Sequence, residues 1–186
     1  MRAPPPPLSR RASSPPHLLL LSNSSSSSLA PPPCRRGRQA AVARSVSVST
    51  AVEAPTPLSK AGKAAAISVS NKLQQMGWIP ELVLCSDATR TKETLKILQE
   101  HVKGLSEAIV HFIPSFYSIA AMDGQTAEHL QKAICEYSSD EILTVMCMGH
   151  NKGWEEAASM FSGDSVVLKT CNAALLEAEG KSWVEV

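Results

Sequence analysis

Arg90 and His150 are the two residues whose type and setting best suit chemistry. Each follows a short apolar run, residues 82–85 and 142–148, and each precedes a stretch with helical character. Around Arg90 stand the hydroxyls of Ser86, Thr89 and Thr91, and His150 lies between Gly149 and Asn151. A guanidinium, an imidazole and free backbone N–H groups at helix starts can together hold a phosphate. Taken one at a time the signals are weak. An arginine at a helix start is commonly a solvated surface residue, and a histidine in a turn is commonly only a turn residue. His101, His111 and His129 fall on expected helix or strand bodies away from both loops, and His17 lies in a Pro/Ser-rich stretch.

The elements that must position these residues follow from periodicity. Residues 59–77 read as a helix: Ser59 can cap it, Ala64, Ile67, Leu73 and Met76 recur near a 3.6 period, and Gly77 can stop it. Pro80 forces extended chain into the apolar run 81–85, of buried-strand type. Ser86 and Asp87 can cap a second helix over 88–102. Residues 109–113 form a strand candidate closed by Pro114, and 126–137 a helix after the turn at Asp123 and Gly124. The run 142–148 is apolar apart from Thr144, as a strand covered on both faces would be. Residues 149–153 break it, 154–161 start another helix, and 165–168, 173–178 and 183–186 read as strands. Helices alternating with buried strands imply an α/β three-layer sandwich with a largely parallel sheet. Ligands in such sheets collect at the carboxyl ends of strands, where the Arg90 and His150 loops sit.

Charge divides the chain. Up to Val52 there are seven arginines and no acidic residue, whereas the remainder holds 11 basic and 17 acidic residues. The first 50 residues, with runs of proline and serine, have the composition of an organellar transit peptide, expected to stay disordered for want of apolar burial. A secretory signal fits less well, because the apolar run 18–21 is short; a plain disordered tail and mistranslated upstream sequence are the other readings. The expected division is therefore a leader over 1–52, processed near residues 42–45, and a domain over 53–186. The proline and serine runs favour the chloroplast, with the mitochondrion as alternative. The mildly acidic body excludes a nucleic-acid footprint, and no apolar run approaches the roughly 20 residues of a membrane helix. The five cysteines show no metal-ligand spacing and read as reduced structural thiols. No metal or organic cofactor is called for.

The two loops together are more specific than either alone. Residues 56–63 (TPLSKAGK), 82–94 (LVLCSDATRTKET) and 145–153 (VMCMGHNKG) resemble, in order and distance, the histidine phosphatase superfamily. The nearest branch is the short phosphohistidine phosphatases, and the likeness covers about 130 residues, including the tail from Lys169 to Trp183. It implies a pocket of two histidines and two arginines, in which one histidine becomes phosphorylated and the rest hold the phosphoryl oxygens. Arg90 matches the second arginine and His150 the second histidine. Ser86 would position its loop and Asn151 the His150 turn, while Lys152 stands where many relatives have proline. The expected partner is a phosphorylated small molecule or phosphoprotein. Glu93, Asp123 and Glu155 are each conceivable proton donors with surface charge as the better reading. The inserted lobe of the true mutases has no room between Thr94 and His150.

One departure is decisive. The family opens with an apolar strand ending in Arg-His, the first phosphate clamp and the nucleophile, and this chain contains no Arg-His pair. The first, central strand is therefore expected to be missing, with the alternating stretch 45–52 as a poor replacement. The readings left are a phosphatase by family that is inactive in this chain, a non-catalytic phosphate-binding pseudo-phosphatase, and a truncated product without function.

Overall fold

A computed structural model describes residues 16–22, 57–118, 126–139, 141–149, 151–169, 171–177 and 183. The strands are β1 (His17–Ser22), β2 (Leu82–Ser86), β3 (Ile109–Ile113), β4 (Thr144–Gly149) and β5 (Ala173–Glu177). The helices are α1 (Lys60–Met76), α2 (Thr89–His101), the single turn α3 (Ser115–Ser118), α4 (Thr126–Tyr137) and α5 (Asn151–Ser162). The sheet runs β3-β2-β4-β1-β5, parallel throughout except that β5 is antiparallel to β1.

Two cores cover the two faces of this sheet. On one side Leu82, Leu84, Val145 and Cys147 pack with Leu130 of α4 and Trp154 and Ala157 of α5. On the other, Val83, Cys85, Met146 and Met148 pack with Leu73 of α1 and Leu95 and Leu98 of α2. The three-layer sandwich is thus as the periodicity implied. The local signals in α1 hold as well: the Ser59 hydroxyl accepts from the Gly62 amide, and Gly77 closes the helix at φ 70°.

The expectation of a missing central strand is corrected. β1 lies between β4 and β5, with Leu18 opposite Val145 and Leu20 opposite Cys147. Leu18 and Leu20 enter one core, Leu19 and Leu21 the other, and all four are at most 2% exposed. Burying four leucines contributes about 6–12 kcal/mol at roughly 1.5–3 kcal/mol each, comparable with the whole stability of a domain. The leucine run is too short for a membrane or secretory core, but six residues suffice for a strand buried on both faces. β1 lies within the stretch expected to be leader, while the alternative strand over 45–52 lies outside the described residues.

Two smaller expectations are also corrected. Residues 165–168 are not a strand: the Val166 amide donates to the Ser159 hydroxyl at 2.9 Å and the Leu168 amide to Glu155 at 3.2 Å. Side chains of α5 take the backbone bonds that a sheet neighbour would have supplied. The stretch 149–153, expected as a break, mostly forms the first turn of α5, which begins at Asn151. Residues 184–186 lie outside the described residues.

Candidate functional site

The register brings three strand ends into one row. Ser22 of β1 pairs with Gly149 of β4, and Cys85 of β2 pairs with Met148, so Ser86 ends level with Gly149. This is the carboxyl edge of the parallel sheet, from which α2 and α5 depart. Their N-termini carry partial positive charge towards the same edge.

Arg90 is the second residue of α2 and half-buried, and its carbonyl accepts the Thr94 hydroxyl at 2.9 Å. Ser86 is fully buried and its hydroxyl accepts from the Ala88 amide at 3.4 Å, so it shapes the turn ahead of Arg90. The helix cap itself falls on Ala88, without a side-chain capping bond, rather than on Ser86 or Asp87. Thr91 is buried and Thr89 exposed. His150 lies outside the described residues, between Gly149 at the end of β4 and Asn151 at the start of α5. The convergence of His150 with Arg90, and the side chain of Asn151, likewise lie outside them.

The backbone flanking position 150 is tightly packed. Trp154 is fully buried, donates its indole N–H to the Cys147 carbonyl at 2.8 Å, and meets Phe116 edge-on at 5.2 Å. Its ring lies over Gly149, where an added Cβ would fall 2.6 Å from the nearest ring carbon. Glycine is required there by close approach.

The end of β1 is strapped by a turn over residues 169–172. The Ser22 hydroxyl donates to the Lys169 carbonyl at 2.7 Å, the Ser22 amide to Asn172 at 3.0 Å, and the Cys171 amide to Ser22 at 2.9 Å. The Asn172 amide closes the turn on the Lys169 carbonyl at 2.9 Å, with Cys171 at φ 58°. Sequence reasoning missed Ser22 and this turn; four leucines followed by polar residues are the signal of a buried strand ending at an edge.

The other candidates are accounted for. His17 sits at the opposite end of β1, roughly 16 Å along the strand from Ser22, with its ring 4.5 Å from Trp78. His101 ends α2, with Nδ1 at 2.9 Å from the Ile97 carbonyl, His111 lies against Tyr137 on β3, and His129 meets the Ser115 hydroxyl. Glu93 accepts from the Leu58 amide at 2.6 Å and Glu155 from Leu168, so both serve the backbone, while Asp123 lies outside the described residues. Burial pushes the Cys85 thiol up to about 12 and raises Cys147 and Cys171 as well. A thiol held protonated at neutral pH is no nucleophile. Among the described residues there is no group of three or more potential metal ligands, and no helix long and apolar enough to cross a membrane.

No family model matches the chain. A curated relative, a chloroplastic protein of Arabidopsis thaliana described as uncharacterized, is 68% identical over 129 residues. That match takes in 69% of this chain and 59% of the relative, so the chain spans about three fifths of the relative's length. Among solved structures, the protein histidine phosphatase SixA complexed with tungstate superposes with a TM-score of 0.59 at 14% identity, over 86% of each chain. A protein of Agrobacterium tumefaciens assigned as the phosphohistidine phosphatase SixA gives 0.58 at 19% identity, over 88% of this chain and 92% of that one. This chain has the fold of the histidine phosphatases, in the short form that the SixA proteins share.

Proposed function

We propose that this chain binds a phosphorylated small molecule or phosphoprotein at the carboxyl edge of its sheet, through Arg90 and His150, without hydrolysing it. One observation carries the reading: β1, inserted beside β4 where the resemblance calls for a strand ending in Arg-His, ends at Ser22, and the sequence continues with Asn23. A planar guanidinium can hold two phosphoryl oxygens, so Arg90 keeps its use without a nucleophile. Attack on phosphorus is a different requirement, and the loss of a single member of such a catalytic unit typically costs several orders of magnitude in rate. Ser22 does not substitute, because its hydroxyl donates its proton to the Lys169 carbonyl rather than to a base. Near-background hydrolysis of p-nitrophenyl phosphate and phosphohistidine peptides is expected from the purified full chain. Introducing Ser22→Arg with Asn23→His should raise turnover. Vanadate-sensitive turnover by the unaltered chain at rates far above background would overturn the reading.

The acid-free, arginine-rich N-terminal stretch and the chloroplastic relative support a chloroplast location. Cleavage near residues 42–45 would remove β1 and expose the edges of β4 and β5. N-terminal sequencing of the protein recovered from chloroplasts separates import with β1 retained from import with its loss, and exclusion from the organelle refutes the location.

A further inference from the structure

β3 forms one side of the sheet, and its sequence, Ile-Val-His-Phe-Ile, holds no lysine, acid or proline. Those are the residues with which native edge strands resist pairing with other chains. The Ile109 amide donates to the Glu81 carbonyl at 2.9 Å, on the β2 side. In a parallel ladder alternate residues bond the same neighbour, so residues 109, 111 and 113 serve β2. Val110 and Phe112 point their amides and carbonyls outward, where no described residue bonds them. Apolar side chains flank these groups on both faces of the sheet. Ile109 shares the face of His111 and Tyr137 and is 52% exposed, whereas Phe112, with the Lys92 ammonium over its ring, is 50% exposed on the α2 face.

We propose that β3 pairs antiparallel with β3 of a second copy of this chain, joining two five-stranded sheets across a two-fold axis at His111. The strand itself selects this occupant and this register. Ala108 gives its amide to the Leu105 carbonyl and Pro114 has none, so outward pairing rests on Val110 and Phe112. An axis at Val110 would set Ala108 opposite Phe112, and an axis at Phe112 would set Pro114 opposite Val110; each wastes an outward group. With the axis at His111, Val110 meets Phe112 of the partner subunit in both directions, and each strand donates two hydrogen bonds. Ile109 then lies opposite Ile113 of the partner subunit. The strand reads apolar, apolar, His, apolar, apolar from either end, so apolar chains meet at every pair flanking the axis. A two-fold interface requires such a match of a patch with its own image. The overlap is short, which makes the dimer a weak one, of micromolar Kd.

Sedimentation equilibrium of the full chain from about 1 to 200 µM, the range of weak interfaces, should show a monomer–dimer equilibrium. Phe112→Lys should raise Kd roughly tenfold or more by placing a charge on the edge. Met160→Lys, at a position 53% exposed on α5, should leave Kd unchanged. Cysteine substitution tests the register. Residue 111 and its own copy would lie about 4.5 Å apart between Cα atoms, within disulfide reach, and residue 112 and its copy about 9 Å apart, beyond it. Under a mild thiol oxidant His111→Cys should cross-link well above the unaltered chain with its exposed Cys135, and Phe112→Cys should not. A chain that stays monomeric across the range overturns the inference. So does a dimer that Phe112→Lys leaves intact or that Met160→Lys weakens equally. Failure of His111→Cys to cross-link, or equal cross-linking by Phe112→Cys, overturns it too.

Discussion

Replacing Gly149 by alanine adds one methyl group at the most crowded point beside position 150. Its Cβ would lie 2.6, 2.7 and 3.0 Å from three carbons of the Trp154 ring, distances that folded proteins do not sustain. The ring has little room to retreat. It is fully buried, edge-on to Phe116 at 5.2 Å and tethered to the Cys147 carbonyl. Overpacking of this kind costs about 1–3 kcal/mol, and loss of the indole hydrogen bond adds about 1 kcal/mol. The expected destabilisation is about 2–4 kcal/mol, a drop in Tm of roughly 5–15 °C for a domain of this size. Circular dichroism during thermal unfolding measures it. The double variant Gly149→Ala, Trp154→Phe separates collision from other effects, because the smaller ring vacates the space. It should recover part of the loss, so that the two substitutions are less than additive. A Tm for Gly149→Ala within about 1 °C of the unaltered chain, or strict additivity in the double variant, would refute the reasoning.

Leu20→Ala should cost about 2–5 kcal/mol, since this side chain is fully buried in β1; urea unfolding measures it, and a loss below 1 kcal/mol would place residue 20 outside the core. The buried thiols give a pH dependence with a definite sign. Cys85 titrates near 12 in the folded chain against an ordinary value of 9.0, so its contribution is complete below pH 9. It is lost progressively between pH 9 and about 12, at about 1.4 kcal/mol per pH unit for one thiol. Cys147 is shifted in the same direction by burial and steepens the fall. Unfolding free energies at several pH values above 8 should decline less steeply in Cys85→Ala than in the unaltered chain; equal slopes would remove Cys85 as a cause.

The legible parts of the fold are those whose signals are local. Ser59 and Gly77 announce the two ends of α1, and the apolar runs of β2, β3 and β4 are bounded by proline, glycine or a helix start. β1 was illegible for the opposite reason. Four leucines carry no alternation, and their flanks of proline and serine resemble a leader more than a domain. What makes them a strand is non-local: β4 and β5 each offer an unpaired edge, and the two cores each lack two leucines' volume until β1 is inserted. The misread run 165–168 is the converse. It has strand composition, but its amides bond to Ser159 and Glu155 of the helix just completed rather than to a sheet neighbour.

The candidate site divides along the same line. The loops of Arg90 and His150 were legible because a buried strand followed by a helix fixes where a carboxyl edge must be, whatever lies on its other side. The contribution of β1 was not, since its register against Gly149 decides which residue reaches that edge. A slip by one residue would present Leu21 there and reverse every leucine between the two cores. With the observed register the edge receives Ser22, whose hydroxyl proton points to a carbonyl, beside Cys171, whose thiol burial keeps protonated. Neither group meets the condition for attack on phosphorus, which is an available lone pair activated by a base or by ionisation. The helix N-termini and the guanidinium need no such activation to attract an anion. Among the described residues the edge therefore offers the electrostatic part of the chemistry, which is what the proposed binding of a phosphoryl group calls on.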